Sequence, residues 1–199
     1  MKFKRLSIKD IIEITPNYII DNRGFFSETY RKDLLDNFIG KKINFCQENK
    51  SKSVKNVFRG LHYQLPPNDQ TKLVSVIEGK IIDIVVDLRV NSKTFKNFLC
   101  VEISNENKKQ LFIPNGFAHG FLVLSDIAII SYKVDSFYNK KFERILNPLD
   151  PELGLNLDLK NKLMSEKDKS APFLNKIQFF KWKKTSGYWK TRSVSKWNL

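Results

Sequence analysis

The sequence predicts a mainly β protein whose antiparallel strands form a sandwich or a barrel. Short runs rich in Val and Ile recur at regular spacing between Val57 and Val134, with turn residues between them. Such spacing is typical of all-β domains. Aromatic residues make up 13% of the chain, and sixteen of them are Phe, which also favours strands. The length of 199 residues suits one domain with room for a terminal appendage.

The N-terminal part is expected to hold short elements before the regular strands begin. Residues 1–20 alternate short apolar and polar stretches, and Pro16 breaks them. An Asp-Asn pair before Gly24 predicts a turn. We expect a short helix at Lys32–Phe38, whereas Phe45–Lys52 is polar and strand-like only at its start.

Three pairs of strands separated by turn residues are expected to form hairpins. The pairs are Leu73–Ile77 with Ile81–Leu88 about Glu78-Gly79-Lys80, Phe98–Ile103 with Gln110–Ile113 about Asn105-Glu106-Asn107, and His119–Leu124 with Ile127–Val134 about Ser125-Asp126. A tight turn is expected at Pro114-Asn115-Gly116, between the second and third pairs.

The register of these hairpins predicts which polar side chains share a sheet face. The third hairpin sets His119 directly opposite Tyr132, and directly opposed residues lie on one face. The first hairpin sets Val74 opposite Asp83, so Lys72, two residues away, shares the face of Asp83. Such charges among apolar residues indicate either an ion pair at a sheet margin or a barrel interior that binds a polar ligand.

His62 and His119 are the two histidines of the chain, and both stand beside Gly and apolar, strand-like runs. Each is either a structural histidine or part of a site. Arg59 and His62 are three residues apart, so in a regular strand their side chains would face opposite ways. Gly60 between them is a candidate bulge, which would bring both side chains to one side.

Charge and cysteine content restrict the environment of the protein. The net charge of +14 suits nucleic acid, an anionic surface, a small phosphorylated ligand, or simply a lysine-rich surface. Cys46 and Cys100 form no disulfide framework and fit a reducing cytosol. The start of the chain lacks the apolar core of a signal peptide, and no apolar run approaches the roughly 18 residues of a membrane span. We therefore expect a cytoplasmic protein.

The composition changes after Pro148 towards a basic C-terminal segment. Residues 160–199 hold eleven Lys or Arg against two acidic residues. The tryptophans of the chain also lie there: Trp182, Trp189 and Trp197. This segment is either a binder of single-stranded nucleic acid that stacks on bases or a docked segment with a solvated face, and the docked segment is the favoured reading. We divide the chain into one domain, residues 1–180, and a basic extension, residues 181–199.

Seven motifs occur in order along the chain. They are D-N-R-G-F-F-S-E from Asp21, Q-E-N-K-S from Gln47, F-R-G-L-H-Y-Q from Phe58, Q-T-K-L-V from Gln70, I-P-N-G-F-A-H-G-F from Ile113, S-Y-K from Ser131 and S-E-K-D-K-S-A-P from Ser165. Together they resemble the dTDP-4-dehydrorhamnose 3,5-epimerase family over about Leu6 to Pro172. The resemblance implies a metal-free, cupin-like jelly-roll barrel with a few short helices, the C-terminal ones docked outside. It also implies a homodimer whose N-terminal segments cross to the partner subunit.

The resemblance further implies a reaction and roles for single residues. The family removes a proton alpha to the C4 ketone of a nucleotide-linked 4-keto-6-deoxy sugar and reprotonates the carbon from the opposite face. His62 resembles the general base and Asp168 the carboxylate that pairs with it. Lys72 resembles the cation that stabilises the enolate oxygen, and Tyr132 the acid that reprotonates carbon. The implied substrate contacts are Arg23 and Arg59 for the diphosphate, Phe26, Glu28, Gln47 and Asn49 for the nucleotide, and Asp83, His119, Tyr138 and Glu143 for the sugar pocket.

These residue types suit that chemistry without a cofactor. A histidine with a pKa of about 6.5 accepts a proton at neutral pH, and a carboxylate behind it fixes the tautomer. A site with two histidines and one carboxylate around a metal has little support, because metal-binding cupins use H-x-H, whereas Tyr63 and Gln64 follow His62.

The expected partners are a dTDP- or GDP-linked 4-keto sugar and a second copy of the chain, with neither nucleic acid nor membrane. Three alternatives remain open: an epimerase that inverts C3 or C5 alone, a non-catalytic nucleotide-sugar-binding cupin, and a nucleic-acid binder that uses the basic extension.

Overall fold

A computed structural model gives the fold of residues 1–159, 161–185 and 188–191, with their side chains as far as Lys181. The strands are β1 Lys2–Arg5, β2 Ile12–Thr15, β3 Ile19–Asp21, β4 Gly24–Phe26, β5 Gln47–Val54, β6 Phe58–Gln64, β7 Lys72–Glu78, β8 Lys80–Asp87, β9 Phe98–Ser104, β10 Gln110–Ile113, β11 Phe117–Val123, β12 Ile127–Val134, β13 Glu143–Ile145, β14 Trp182–Thr185 and β15 Tyr188–Thr191. The helices are α1 Lys32–Ile39 and α2 Glu166–Lys169, with short 3-10 helices at Pro151–Leu153 and Leu174–Lys176. None of these helices has the length and apolar character that crossing a bilayer requires.

Two antiparallel sheets contain most of the strands. The first sheet has the order β1-β2-β10-β7-β12-β5, and the second has the order β13-β6-β11-β8-β9. Their inner faces share one apolar core, to which Val74 and Ile130 of the first sheet and Val85 and Phe121 of the second contribute. Along the chain, β7, β10 and β12 lie in the first sheet and β8, β9, β11 and β13 lie in the second, so the chain crosses repeatedly between the sheets, as in a jelly roll. The predicted mainly β jelly-roll fold is therefore confirmed.

The three predicted hairpins are wrong, because each of their turns joins strands of facing sheets instead of paired neighbours. β7 and β8 belong to different sheets, as do β9 and β10, and β11 and β12. Val74 is consequently not paired with Asp83, and His119 is paired with His62 rather than with Tyr132. Turn residues reverse the direction of the chain, and such a reversal serves either to pair two strands or to cross between sheets.

Other predictions concerned single elements. The predicted helix is α1, which ends at Gly40 in the left-handed conformation with φ of 77°. The turn before Gly24 connects β3 to β4, as expected. The prediction that Phe45–Lys52 is a strand only at its start is wrong. Every residue of Gln47–Val54 pairs with β12, because the backbone ladder holds this polar strand whatever its side chains are.

Further apolar clusters cover the outer faces of both sheets. On the second sheet, Tyr63 packs in a cluster with Leu153 and Leu174 of the two 3-10 helices and with Phe180. On the first sheet, α1 contributes Leu35 to a separate cluster. The C-terminal helices are thus docked outside the barrel, as the sequence analysis expects.

The chain continues past the docked segment as a strand pair. The backbone of β14 pairs antiparallel with that of β15, and β14 begins two residues after Phe180. The side chains of Trp182 and Trp189, and the whole of Trp197, lie outside the described residues. The role of the basic extension, and its boundary at residue 181, therefore stay predictions.

Candidate active site

A cavity of about 420 Å³ lies between the inner faces of the two sheets. The predicted site residues that line it are Gln47, Asn49, Arg59, His62, Lys72, His119, Tyr132, Tyr138 and Glu143. Strands β5, β7 and β12 of the first sheet supply one wall, and β6, β11 and β13 of the second sheet supply the other. Most of the predicted site is therefore gathered in one compartment.

A bulge in β6 brings the side chains of Arg59 and His62 to the same face of the strand. The pairing of β6 with β11 shifts between His62 and Arg59, so that β6 carries one extra residue. This is the bulge predicted at Gly60, whose φ is +136°. A Cβ at Gly60 would lie 2.5 Å from the Cα of Gly120. Only glycine allows the two strands to approach this closely beside the histidines.

A buried carboxylate stands behind His62. The Nε2 atom of His62 lies 2.6 Å from Oδ1 of Asp168, which is 3% exposed. Ser165 caps α2 by accepting a hydrogen bond from the Asp168 backbone N–H at 3.1 Å, which fixes the start of this short helix. Burial works to raise the pKa of Asp168, but the hydrogen bond from His62 contributes to lowering it overall. Because an ionised carboxylate only accepts, Nε2 carries the hydrogen and Nδ1 remains to take up a proton.

His119 forms a second imidazole–carboxylate pair deeper in the barrel. Its Nε2 atom lies 2.8 Å from Oδ2 of Asp83, and both side chains are buried. Burial lowers the pKa of His119, although the charge of Asp83 opposes this, so His119 is neutral near pH 7. The other oxygen of Asp83 has no hydrogen-bond partner among the described residues. Asp83 is hydrogen-bonded to His119. The predicted alternative, an ion pair between Asp83 and Lys72 at a sheet margin, therefore does not describe the contacts of Asp83.

Lys72 and Tyr132 enter the cavity from the wall that faces the histidines. Lys72 is 8% exposed, and its Nζ atom donates to the backbone carbonyl of His62 at 3.4 Å. Burial lowers the pKa of Lys72 to about 8, against the opposing effect of the charges on Asp83 and Glu143. Burial raises the pKa of Tyr132, so its phenol keeps its proton at neutral pH.

The rim of the cavity is one connected set of polar contacts. The hydroxyl of Tyr138 donates to Glu143 at 3.0 Å, and Lys167 lies 2.6 Å from the same carboxylate. The backbone N–H of Tyr138 donates to the side chain of Gln47, which in turn donates to Asn49 at 2.7 Å. Burial works to raise the pKa of Glu143, but Lys167 and Tyr138 contribute to lowering it overall. The rim thus combines an ionised carboxylate, amides and the half-exposed ring of Tyr138.

A family model described as dTDP-4-dehydrorhamnose 3,5-epimerase matches residues 5–176. The chain belongs to this family. The dTDP-4-dehydrorhamnose 3,5-epimerase of Shigella flexneri is 44% identical over 84% of this chain and 93% of its own length. The crystal structure of the enzyme from Elizabethkingia anophelis has a TM-score of 0.84 and 42% identity, and the match covers 88% of this chain and 97% of that one. The enzyme from Legionella pneumophila in complex with dTDP-4-keto-L-rhamnose has a TM-score of 0.83 and 40% identity, covering 87% and 93%.

Three residues that the family resemblance assigns to substrate binding lie away from the cavity of their own chain. Arg23 and Phe26 are on the β3–β4 hairpin, where the Arg23 side chain is 85% exposed and Phe26 is 65% exposed. Glu28 follows the hairpin, and its carboxylate lies 3.4 Å from Arg31. The hairpin also exposes Ile19, Ile20 and Phe25. No cavity residue in the described part of the chain comes from this hairpin.

The structure adds side chains that the sequence analysis missed. Ser51 lines the cavity, and its buried hydroxyl has no hydrogen-bond partner among the described residues. Ser53, two residues further on, accepts a hydrogen bond from Nε of Arg59 at 3.0 Å. Both serines were identifiable in principle, because every second residue of β5 faces inward. Lys167 directly precedes Asp168 in its motif, but nothing in the sequence places it on Glu143.

Proposed function

We propose that this protein epimerises a dTDP-linked 4-keto-6-deoxy sugar by removing a proton alpha to the C4 ketone and returning one from the opposite face. One observation carries the proposal. A carboxylate-backed imidazole, His62, lines the same cavity as a protonated phenol, Tyr132, and the two come from facing sheets. An acid and a base on opposite walls are what inversion at carbon requires.

In the proposed reaction, His62 acts first. Nδ1 takes the proton from C3 or C5, and the electron pair of the C–H bond moves onto the ketone as an enolate. Asp168 steadies the imidazolium that results. General base catalysis of this kind contributes about 10²–10⁴-fold.

Lys72 and Tyr132 complete the proposed reaction. The ammonium of Lys72 donates to the enolate oxygen, and a preorganised donor there is worth about 3–4 kcal/mol. The hydroxyl of Tyr132 then gives its proton to the other face of the carbon. Substrate and product are isomers, so solvent returns one proton to the phenol and accepts one from the imidazolium.

Substrate binding is assigned to the remaining polar groups of the cavity. Arg59 would hold the diphosphate, because a guanidinium offers two parallel donors to phosphate oxygens. The hydroxyl of Ser51, which has no hydrogen-bond partner within the described part of the chain, lies on the same face of β5 as Ser53, the partner of Arg59, and would add a donor. The rim amides of Gln47 and Asn49 would bind the nucleotide base. His119, Tyr138 and Glu143 would surround the sugar, whereas Asp83 does not line the cavity and would act from behind by holding His119.

The active protein in this proposal is a homodimer. The exposed apolar hairpin β3–β4 would seat on the partner subunit, where Arg23, Phe26 and Glu28 would complete the partner's cavity. Burying Phe25 and Phe26 there would favour association, since apolar area removed from water gives about 25 cal/mol per Å². We place the protein in the cytoplasm, in deoxysugar biosynthesis for surface polysaccharide. The two unpaired thiols, Cys46 and Cys100, support a reducing compartment.

The test is incubation with a dTDP-linked 4-keto-6-deoxyhexose in deuterated water, followed by NMR of the sugar. The proposal predicts an inverted sugar with deuterium at C3 and C5. Deuterium and inversion at one of these carbons alone would identify a single-centre epimerase. If the sugar binds but is recovered with no deuterium and no inversion at any carbon, the protein is a non-catalytic binding protein and the proposal is refuted.

A further inference from the structure

The short segment Gln178–Phe180 lies beyond residue 176, where the match to the family model ends. It is nonetheless fixed to the outer face of the second sheet. Phe180 is 2% exposed, and its backbone N–H donates to the carbonyl of Leu88 at 3.0 Å. The N–H of Val90 donates back to the carbonyl of Phe180, also at 3.0 Å. The position of Gln178 is therefore set by packing and backbone hydrogen bonds on its C-terminal side.

Gln178 contacts two residues that face each other across the edge of the sheet. Its backbone carbonyl accepts from the hydroxyl of Tyr63 at 2.9 Å, and its side-chain oxygen accepts from Nε of Arg144 at 2.8 Å. Tyr63 and Arg144 are register partners in β6 and β13. Gln178, which lies outside the family match, thus connects β13 and β6 at the edge of the second sheet, from the outer face of that sheet.

The strand joined in this way carries part of the cavity rim. β13 is three residues long and stands at the edge of the sheet, so few backbone hydrogen bonds hold it. Nη1 of Arg144 donates to the backbone carbonyl of Glu143 at 2.8 Å, and the side chain of Glu143 accepts from Tyr138 on the cavity side. Gln178 is therefore linked to Arg144, Arg144 to the backbone of Glu143, and the side chain of Glu143 to Tyr138.

We propose that Gln178 is a positioning residue for substrate binding: by holding Arg144 and Tyr63 it keeps β13 in place, so that Glu143 and Tyr138 shape the cavity rim for the nucleotide sugar. This inference rests on the proposed function only for the identity of the ligand. Gln178 lies outside the cavity and acts through the strand. Its effect falls on binding rather than on the proton transfers at His62.

The experiment uses the full-length chain and three variants. Gln178→Ala removes the acceptor for Arg144, Gln178→Glu keeps an acceptor oxygen at that place, and Asn175→Ala is the matched control on the same outer groove. The readouts are amide hydrogen exchange of β13 by mass spectrometry, the Kd of dTDP by calorimetry, and kcat with KM for the sugar.

The inference predicts faster exchange in β13 of Gln178→Ala, with β8 and β9 unchanged. Kd and KM should each rise roughly tenfold, the effect of losing one hydrogen bond to a charged group, while kcat stays within about twofold. Gln178→Glu and Asn175→Ala should match the wild type. Three outcomes would overturn the inference. They are an unchanged Kd and unchanged β13 exchange in Gln178→Ala, an equal loss of dTDP binding in Asn175→Ala, and a Gln178→Glu variant that binds dTDP no better than Gln178→Ala. Wild-type protein that binds dTDP without epimerising the sugar would refute the proposed function alone, because the Kd of dTDP and the hydrogen exchange of β13 still test the positioning role of Gln178.

Discussion

Replacing Lys72 by Met should stabilise the fold while strongly lowering turnover. A fall in the pKa of Lys72 from 10.5 to about 8 corresponds to about 3 kcal/mol. Below pH 8 the folded and the unfolded chain both carry the proton, so the folded state bears this full penalty. Between pH 8 and 10.5 only the unfolded chain is protonated, and the penalty disappears as the pH rises. Because Asp83 loses a neighbouring cation in the variant, we expect a net gain of about 1–3 kcal/mol at pH 7.

The assay is urea unfolding of wild type and Lys72→Met at pH 7 and pH 9.5, at one protein concentration, together with turnover at pH 7. The stability difference should shrink markedly at the higher pH, and kcat should fall by about 10²-fold or more. Lys50→Met is the matched control, since Lys50 is an exposed lysine beside the same cavity, and its stability should follow the wild type. A Lys72→Met protein that is less stable than wild type at pH 7, or whose difference is the same at both pH values, would refute the reasoning.

Three further predictions concern the dimer, the dyad and the strand contact. If Arg23 serves the partner's cavity, mixing inactive Arg23→Ala dimers with inactive His62→Asn dimers restores activity after subunit exchange. Each heterodimer then has one intact site, which combines His62 of one subunit with Arg23 of the other. No recovery of activity would argue for a site within one chain. Asp168→Ala should lower kcat by about 10²-fold with little change in KM, which steady-state kinetics measures, and an unchanged kcat would remove the dyad. Gly120→Ala would place a Cβ 2.6 Å from the carbonyl oxygen of Arg59, so we expect a loss of about 1–3 kcal/mol in urea unfolding; wild-type stability would show that the strands can move apart.

The sequence was sufficient to predict the apolar strands β7 to β12, but not the polar strand β5 and not how the strands pair. Residues at Gly79 and at Ser125 favour a reversal of chain direction, and the reversals occur. Whether the next strand pairs or crosses to the facing sheet depends on what else packs there, which local sequence does not encode. His119 and Tyr132 nevertheless meet in one cavity. The alternation of side chains along a strand already assigns each residue to one face, and the inner faces of β11 and β12 lie on opposite sides of the barrel interior.

Some site residues could be placed from the local sequence, and others could not. The bulge at Gly60 was predictable, because a glycine between two polar residues three positions apart explains how both face one side. The pairing of His62 with Asp168 spans 106 residues, so only the family resemblance identified it. Arg23, Phe26 and Glu28 lie outside the cavity of their own chain, which no strand pattern indicates. Gln178 was missed because it acts from behind the sheet through Arg144.

The most direct test of the two-wall mechanism separates carbon–hydrogen exchange from inversion. Tyr132→Phe and His62→Asn are each incubated with the dTDP-linked 4-keto sugar in deuterated water, and NMR follows deuterium and configuration at C3 and C5. Tyr132→Phe should incorporate deuterium with the original configuration, because His62 still removes the proton and returns a deuteron to the same face. His62→Asn should show neither exchange nor inversion. Inversion at the wild-type rate in Tyr132→Phe, or deuterium uptake at the wild-type rate in His62→Asn, would contradict an acid and a base acting from opposite sheets.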